Sequence, residues 1–347
     1  MRVLASSHND ASSYYRTKAP FGVLNYQIGD LEILSGRLAL GVADEFDLLW
    51  LQMDADAHTE VVAREFKDAG KPVVYDVDDW LFDYPPSWAN FGRFFKSGSL
   101  EPVNRLGFHE RLLRMADVVT TTTPYLAKKL QDGLKTNTHT PDVRVLENYV
   151  LQGDWDTLTP SRTSLDAPVV GWFGSANHWD DWFQIAPHVG AFLDDVDGNL
   201  AILGAPEITR CFSSSLLQRT HVFNAVPMRQ MEEIRHRIMT FDVGIAWSNE
   251  RTESALCRSP LKALQYHAAG VPCIGSPFVY EGFADFITSR PESIMDYIEV
   301  RIMTEGTRAG FRAKMKEIGA RARDAVFASH TYELNARKWL HVMEGIV

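Results

Sequence analysis

The stretch SPLKALQYHAAGVPCIGS, residues 259–276, decides the fold class. Pro260 suits the first turn of a helix, because that turn leaves its backbone N–H groups unpaired in any case. Gly270 followed by Pro272 ends the helix. Val271–Ile274 is a short apolar run with the length of a buried strand. A helix that turns directly into a buried strand predicts one unit of an α/β fold.

The same alternation of short apolar runs and amphipathic stretches extends along the whole chain. The first half predicts strands at 3–6, 46–51, 73–75, 118–122 and 143–146, and helices at 61–69, 107–116 and 124–130. The second half predicts strands at 169–173, 200–203, 243–247 and 271–274, and helices at 185–196, 228–239, 260–269 and within 308–347. Pro187 then lies near the start of its helix. This order predicts two α/β domains with parallel sheets.

The length of 347 residues suits two domains of roughly 100–200 residues each. Residues 151–168 are polar and contain two prolines, so we place a linker there. The expected domains are therefore residues 1–150 and residues 169–330. Open parallel sheets bind ligands at the carboxyl ends of their strands, so the loops after the strands are where functional residues are expected.

The composition excludes several classes of protein. Hydrophobic residues make up 45% and charged residues 23%, which is typical of a globular chain and not of a disordered or fibrous one. A formal net charge of −10 argues against binding polyanions by overall charge and leaves room for a local basic site. Three cysteines without metal-ligand spacing, and neither a signal peptide nor a transmembrane run, indicate a cytoplasmic protein.

Two loops of the second half have the properties of a phosphate site. Gly174 and Ser175 follow the strand at 169–173, and small residues there let backbone N–H groups approach a ligand. Arg258 and Lys262 flank the start of the helix at 260–269, for which Ser259 is the expected N-cap. Two cations beside unpaired backbone donors suit a diphosphate. The alternative is that both are solvated surface charges.

An acidic segment follows a strand of the first half. The strand at 73–75 leads into Asp76, Asp78, Asp79 and Trp80, and carboxylates this close repel one another. We interpret Asp78 or Asp79 as a base, a sugar ligand or a metal ligand, with helix capping and solvated charge as the alternative. Magnesium or manganese is possible at such oxygen-rich clusters, although we do not predict a metal.

Aromatic residues are dense between Trp80 and Lys96, a segment that also holds Arg93. Exposed rings on a loop stack on sugars or nucleobases, whereas buried ones form a hydrophobic cluster beneath the loop. Earlier in the chain, the loop after the first strand contains His8 and Arg16, and either side chain could face a cleft between the two expected domains.

Several segments together resemble the GT-B glycosyltransferases, in particular their retaining, family-four-like branch (glycosyl transferases group 1). The resemblance is carried by VVGWFGSANH at 169–178, SPLK at 259–262 with QYHAAGVP at 265–272, LENYV at 146–150, and FDVGIA at 241–246. It implies a GT-B fold, in which two Rossmann-like domains with parallel sheets face a central cleft. It also implies that the C-terminal helix at 331–347 packs back on the first domain.

The resemblance implies an enzyme that transfers a hexose from a nucleotide-sugar, such as a UDP- or GDP-sugar, to a hydroxyl acceptor with retention. The resemblance also implies that this transfer requires no cofactor and no metal. The implied donor-binding residues are Gly174, Ser175, His178, Arg258, Lys262 and Gln265. The implied catalytic residues are Asp78, Asp79, Arg258 and Lys262, and the implied acceptor-side residues are Tyr15, Arg16, Asp76 and Trp80.

The chain departs from the family at two positions, where Gln265 and Cys257 replace glutamates. Gln265 keeps hydrogen-bonding capacity and loses the charge-assisted bond to a ribose.

The sequence leaves the acceptor open. One alternative is a glycan, a lipid or another hydroxyl compound, and the other is a hydroxymethylated base in DNA. Basic residues of the tail would contact the DNA, namely Arg308, Arg312, Lys314, Lys316, Arg321 and Arg323. A binding module without turnover is a further alternative. A sugar-nucleotide epimerase is disfavoured by the lack of a Tyr-x-x-x-Lys or Rossmann glycine motif.

Overall fold

The structure is a computed structural model that describes residues 1–7, 10–36, 38–82, 102–135, 142–158, 167–223, 231–249, 252–276, 287–288 and 308–347. The expectations for His8, for the aromatic segment beyond Phe82 and for the start of the helix at 228–239 lie outside these residues. Among the described residues, no helix is long and apolar enough to cross a membrane.

The first sheet has six parallel strands in the order β2-β1-β3-β4-β5-β6. These strands are β1 Arg2–Ser7, β2 Glu32–Ser35, β3 Leu48–Gln52, β4 Val73–Val77, β5 Val118–Thr121 and β6 Asp142–Val145. β3 and β4 are buried along their whole length, and each begins with an apolar run, at 48–51 and at 73–75. All carboxyl ends lie at one edge of the sheet, where the residues after β1, β3 and β4 meet.

Helices connect these strands. They are α1 Asp10–Ser13, α2 Ala19–Gln27, α3 Ala57–Asp68, α4 Pro102–Met115 and α5 Pro124–Leu134, with a π-helical turn at Tyr14–Lys18 between α1 and α2. Asp56 caps α3 by accepting a hydrogen bond from the Thr59 N–H at 2.7 Å. Pro124 starts α5 behind the Thr123 cap, the position where proline costs least.

The second sheet also has six parallel strands, in the order β12-β11-β10-β7-β8-β9. They are β7 Val169–Gly174, β8 Asn199–Gly204, β9 Thr220–Phe223, β10 Val243–Ala246, β11 Cys273–Gly275 and β12 Ile287–Thr288. The fold class expected from the sequence, two parallel-sheet α/β domains, is confirmed. The domain limits at 150, 168 and 330 stay predictions, although each sheet draws its strands from one side of the 151–168 segment.

The helices of the second half are α6 Gly153–Asp156, α7 Trp179–Val196, α8 Ser214–Gln218, α9 Met231–Ile238, α10 Glu253–Leu256 and α11 Leu261–Ala268. The chain ends in α12 Arg308–Ser329, α13 Tyr332–Asn335 and α14 Arg337–Glu344. α12 packs on α11, whereas α13 and α14 pack on α2 of the first half. A short parallel bridge between Val150 and Thr331 fixes the point of return.

Two local predictions need correction. Pro187 lies inside α7 and not near its start, because the helix begins eight residues earlier at Trp179. Ser259 does not cap α11. Pro260 occupies the N-cap position, and the Ser259 hydroxyl instead accepts a hydrogen bond from the Asn148 amide of the first half at 2.8 Å. The Ser259 side chain therefore contributes to the contact between the two halves and not to the start of the helix.

A glycine allows the tail to dock closely. A Cβ at Gly319 of α12 would lie 1.8 Å from the carbonyl oxygen of Gly270, which is closer than any real contact. Gly270 itself has φ +72°, the left-handed conformation that ends α11. The long helix α12 therefore packs on the turn after α11 only because Gly319 lacks a side chain, whereas Gly270 is needed for its backbone conformation.

The C-cap of α7 offers a stability test. Asp197 has φ 47° and ψ 49°, a left-handed conformation that favours glycine. Asp197→Gly should raise the free energy of unfolding by about 0.5 kcal/mol, the left-handed penalty less the entropy cost of glycine. Urea midpoints measure this. Asp195→Gly inside the helix should give no gain, and a lower midpoint for Asp197→Gly would contradict the argument.

Candidate functional site

Two loops of the second domain converge at the carboxyl end of its sheet. β7 ends at Gly174, and a 3₁₀ turn at Ala176–His178 leads into α7. A Cβ at Gly174 would lie 2.7 Å from the Trp172 ring and 3.2 Å from the His178 ring, so only glycine fits there. This close packing fixes the His178 imidazole at the start of α7.

Arg258 and Lys262 reach the same place from the start of α11. The Arg258 guanidinium lies 3.3 Å from His178 Nδ1, and the Lys262 ammonium lies 3.2 Å from His178 Nε2. The Lys262 ammonium also lies 5.0 Å from the centre of the Trp172 ring. The structure thus brings together Gly174, Arg258 and Lys262, which the sequence analysis placed at a phosphate site, and His178, which the resemblance implied as a donor-binding residue. Ser175 lies between Gly174 and the 3₁₀ turn.

Asp181 holds this group in place. Its carboxylate accepts a hydrogen bond from Arg258 Nη1 at 2.6 Å and lies 2.6 Å from His178 Nδ1. Its other oxygen accepts from the Asn249 N–H at 2.7 Å. Asp181 was not predicted from the sequence. Its i+3 spacing from His178 in the first turn of a helix was the available signal, since that spacing places both side chains on one face.

The cluster of Arg258, Lys262, His178 and Asp181, called here the cation cluster, has one carboxylate and two cationic side chains. Burial, together with Lys262 and Arg258, lowers the pKa of His178 to about 3, so the imidazole is neutral at pH 7. A proton on Nδ1 then donates to Asp181, which leaves Nε2 to accept from Lys262.

Lys262 itself is affected by its surroundings. Burial, with Arg258 as a further cause, lowers the pKa of Lys262 to about 7, and the Asp181 carboxylate offsets this only in part. A nearby anion would reverse the shift, because it favours the charged ammonium. The cation cluster is therefore short of negative charge, which is the condition of a site built for an anionic ligand.

The Gln265 side chain contacts the first domain, unlike the other predicted donor residues. Its side chain is almost fully buried, and its amide donates a hydrogen bond to the Tyr15 hydroxyl of the first domain. Its Oε1 is buried without a partner. Cys257, the other departure, packs in the core cluster of the first domain, where burial raises the pKa of its thiol to about 12. Both positions therefore join the two domains.

The acidic segment after β4 divides into separate roles. Asp76 and Arg16 form an ion pair with a shortest distance of 2.6 Å, and both side chains are fully buried. Arg16 also donates to the Leu146 carbonyl at 2.5 Å and to Asn148 Oδ1 at 3.1 Å. Neither Arg16 nor Asp76 is exposed to an acceptor here. They tie the loop after β1 to β4 and to the 146–150 segment.

Asp78 lies in a row of polar side chains along the carboxyl edge of the first sheet. The Gln52 amide donates to Asp78 Oδ1 at 3.4 Å, and Thr122 donates to the Asp78 carbonyl at 3.5 Å. Burial, with Asp76 as a further cause, raises the pKa of the Asp78 carboxyl. Asp79 accepts from the Trp80 N–H at 3.0 Å, and the Trp80 ring packs under the Lys129 ammonium. The catalytic roles of Asp78 and Asp79 stay predictions.

Within the described ranges, no group of three or more His, Cys, Asp or Glu side chains is arranged to hold a metal ion. The structure thus offers no ligand set on which to test the prediction that no metal is required.

Comparison with solved structures identifies the architecture. An alpha-glucosyltransferase in complex with UDP-glucose and DNA containing an abasic site is similar over 99% of each chain, with a TM-score of 0.66 and 13% sequence identity. Sucrose-phosphate synthase from Thermosynechococcus elongatus is similar over 99% of each chain, with a TM-score of 0.62 and 10% identity. The chain has the GT-B fold. No protein-family model and no curated protein matches the sequence.

The GT-B fold also occurs with another activity. A putative UDP-N-acetylglucosamine 2-epimerase from Listeria monocytogenes is similar over 97% of this chain and 94% of that chain, with a TM-score of 0.53 and 11% identity. At these identities the comparisons show the fold, and a reaction has to be argued from the site.

Proposed function

We propose that this protein is a glycosyltransferase that takes a sugar from a nucleotide diphosphate sugar and transfers it to a hydroxyl group. The cation cluster carries this proposal. Two cations and a neutral imidazole meet beside Gly174, at the start of α11, where one carboxylate only partly balances them. Solved structures of the same fold contain UDP-glucose or UDP, which supports a nucleotide diphosphate as the ligand.

The chemistry of the site matches a leaving diphosphate. As the bond between the sugar and the diphosphate breaks, negative charge accumulates on the phosphate oxygens. Arg258 presents planar N–H donors that suit phosphate, and Lys262 adds a compact charge. Asp181 holds Arg258 in position before the ligand arrives, so little reorganisation is needed when the charge develops.

We also propose that transfer proceeds with retention. Asp181 is the carboxylate of the cation cluster, and it is held by Arg258 and His178. It is therefore a positioning residue and is not placed as a nucleophile or base. A departing phosphate that itself accepts the acceptor proton requires attack from the leaving-group face, which retains the anomeric configuration. NMR assignment of the product anomer tests this, and an inverted product would refute it.

A turnover assay distinguishes the proposed transferase from two alternatives, an epimerase and a binding module without turnover. The burial of Gln265 against Tyr15 favours the binding module, because a donor ribose would have to find another partner. A thermal-shift screen with UDP-, GDP-, ADP- and dTDP-sugars first tests the donor site and identifies the base. Incubation with the stabilising donor then tests turnover. Binding without sugar release or transfer would support the module, and epimerised donor would support the epimerase.

The DNA alternative draws on the alpha-glucosyltransferases whose structures contain DNA. Several cations proposed for that role have acidic partners in this structure. Arg312 pairs with Asp242 at 3.2 Å, Lys314 with Glu317 at 2.7 Å and Arg323 with Asp156 at 3.2 Å. Cations already paired release fewer counterions from DNA. Filter binding to duplex DNA at low salt decides between the acceptors.

The lowered pKa of Lys262 gives a pH dependence for donor binding. Because a diphosphate favours the ammonium, binding above the Lys262 pKa of about 7 must bring a proton with it. UDP affinity should therefore fall by up to about tenfold per pH unit from about pH 7.5 to about pH 9. Calorimetry in buffers of different ionisation enthalpy should show proton uptake at about pH 8.

The control for this pH dependence is Lys262→Met, which keeps the length of the side chain and removes the titrating group. This variant should bind UDP more weakly and should lose both the proton uptake and the pH slope. If the unaltered protein binds UDP without proton uptake at this pH, Lys262 is not the group that meets the diphosphate.

A further inference from the structure

The first domain has a cavity whose lining residues are all different from those of the cation cluster. This cavity of about 520 Å³ opens at the carboxyl ends of β1 and β2 and the start of α3. Its polar lining includes Ser6, Ser7, Ser35, Asp54, Asp56 and His58, and we call it the serine cavity. This volume falls within the roughly 300–1,000 Å³ range of small-molecule sites.

The backbone at the serine cavity is strained. Met53, directly after β3, has φ 46°, a left-handed conformation that a residue with a long side chain rarely adopts. Its N–H donates to the Asp76 carbonyl at 3.0 Å, which holds the turn. The next residue, Asp54, lines the cavity and accepts a hydrogen bond from Ser6 at 2.5 Å. Strain of this kind is typical of backbone that positions functional side chains.

The polar groups around the cavity suit hydroxyl ligands. The Asp54 and Asp56 carboxylates accept from hydroxyl groups, and Ser7 and Ser35 both donate and accept. Among the lining residues that the structure describes, Lys18 is the one lysine or arginine, and it is exposed. A lining with two carboxylates and one lysine disfavours phosphate, because carboxylates repel it. An uncharged molecule with several hydroxyls meets these groups without that repulsion.

A hydrogen-bonded row connects the serine cavity with the acidic segment. Ser7 donates to Gln52 Oε1 at 2.5 Å, which turns the Gln52 amide towards Asp78. Asp78 is the partly buried carboxyl whose pKa is raised. The cavity therefore lies along the same carboxyl edge of the first sheet as the predicted catalytic aspartate.

We propose that the serine cavity binds the acceptor, and that this acceptor is a small uncharged polyhydroxylated molecule, a sugar or a cyclitol. The acceptor role rests on the proposed function, whereas the ligand class rests on the cavity itself. A hydroxyl-bearing base in duplex DNA is the competing occupant. It would bring two phosphate strands towards Asp54 and Asp56, which the charge of the lining opposes.

The test uses D-glucose, myo-inositol and glycerol as probes, measured by saturation-transfer difference NMR at concentrations up to about 20 mM. Ser35→Phe fills the cavity from an exposed position at the end of β2, and Asp54→Asn removes one carboxylate charge. The matched control is His221→Phe, which places the same ring on an exposed position of the edge strand β9. UDP affinity, measured alongside by calorimetry, reports the cation cluster.

We expect at least one probe to bind, at least about tenfold more weakly in Ser35→Phe and Asp54→Asn, with His221→Phe and all UDP affinities unchanged. The proposal is overturned if no probe binds, if both cavity variants bind like the unaltered protein, or if a hydroxymethylcytosine duplex binds and loses affinity in those variants. Failure of UDP binding with intact probe binding would instead refute the proposed function and leave the ligand class of the cavity standing.

Discussion

Lys262→Ala should reduce the rate of sugar transfer about a thousandfold, the upper range for losing one preorganised group that meets transition-state charge. Lys262 lies 3.2 Å from His178 and over the Trp172 ring, so its ammonium is held at the place where the proposed function puts the diphosphate. Without it, Arg258 alone would face the leaving group while still paired with Asp181. Single-turnover kinetics with the donor identified by thermal shift measure the effect.

The folded state should survive this change. The pKa of Lys262 is lower in the folded protein than in the unfolded chain, so stability falls as the pH drops from about 10.5 to about 7. Alanine removes that penalty, although it also removes contact with the Trp172 ring. Lys128→Ala is the matched control, because Lys128 is 75% exposed and pairs only with Asp132 among the ion pairs found. Unchanged transfer in Lys262→Ala would refute the phosphate role.

Arg16→Met should lower the free energy of unfolding by about 3–5 kcal/mol, the cost of leaving a buried charge without its partner. Asp76 is fully buried, and besides Arg16 it accepts a hydrogen bond from Thr120 at 2.6 Å. The Leu146 carbonyl and Asn148 also lose a donor. Urea denaturation followed by tryptophan fluorescence measures the loss.

A double-mutant cycle separates this structural role from the acceptor role that the resemblance implies. Asp76→Asn combined with Arg16→Met should cost less than the sum of the two single changes, because the second change removes the uncompensated charge. The surface control is Arg64→Met, whose side chain is 59% exposed and pairs with Glu60. It should change stability by less than about 1 kcal/mol. If Arg16→Met keeps full stability but loses transfer, Arg16 acts on the acceptor.

The buried strands could be predicted from the sequence because burial on both faces produces unbroken apolar runs. β3 and β7 show this, and both lie inside their sheets. The edge strands β2, β9 and β12 were missed. β2 and β9 are short and largely exposed, and their polar residues give no apolar run to detect, whereas β12 has only two residues. Helix α2 was missed as well, because its apolar residues are spread around the helix and lack a clear face.

The candidate site could be predicted for those residues whose neighbours in sequence already indicate a role. Arg258 and Lys262 flank one helix start, and Gly174 follows one strand, so their convergence follows from the α/β order. The partners that define the other residues are distant in sequence. Gln265 meets Tyr15, Ser259 meets Asn148 and Arg16 meets Asp76, and no local pattern indicates such long-range pairs.

The return of the chain at Thr331 has a consequence for biosynthesis. Tyr332 and Trp339 are fully buried, the Tyr332 hydroxyl donates to the Tyr15 carbonyl, and the Arg16 guanidinium lies 5.5 Å from the centre of the Trp339 ring. The core around the Arg16–Asp76 pair thus includes side chains that the ribosome adds more than 300 residues after Arg16. During translation, this part of the core of the first domain therefore lacks those side chains until the second domain has been synthesised.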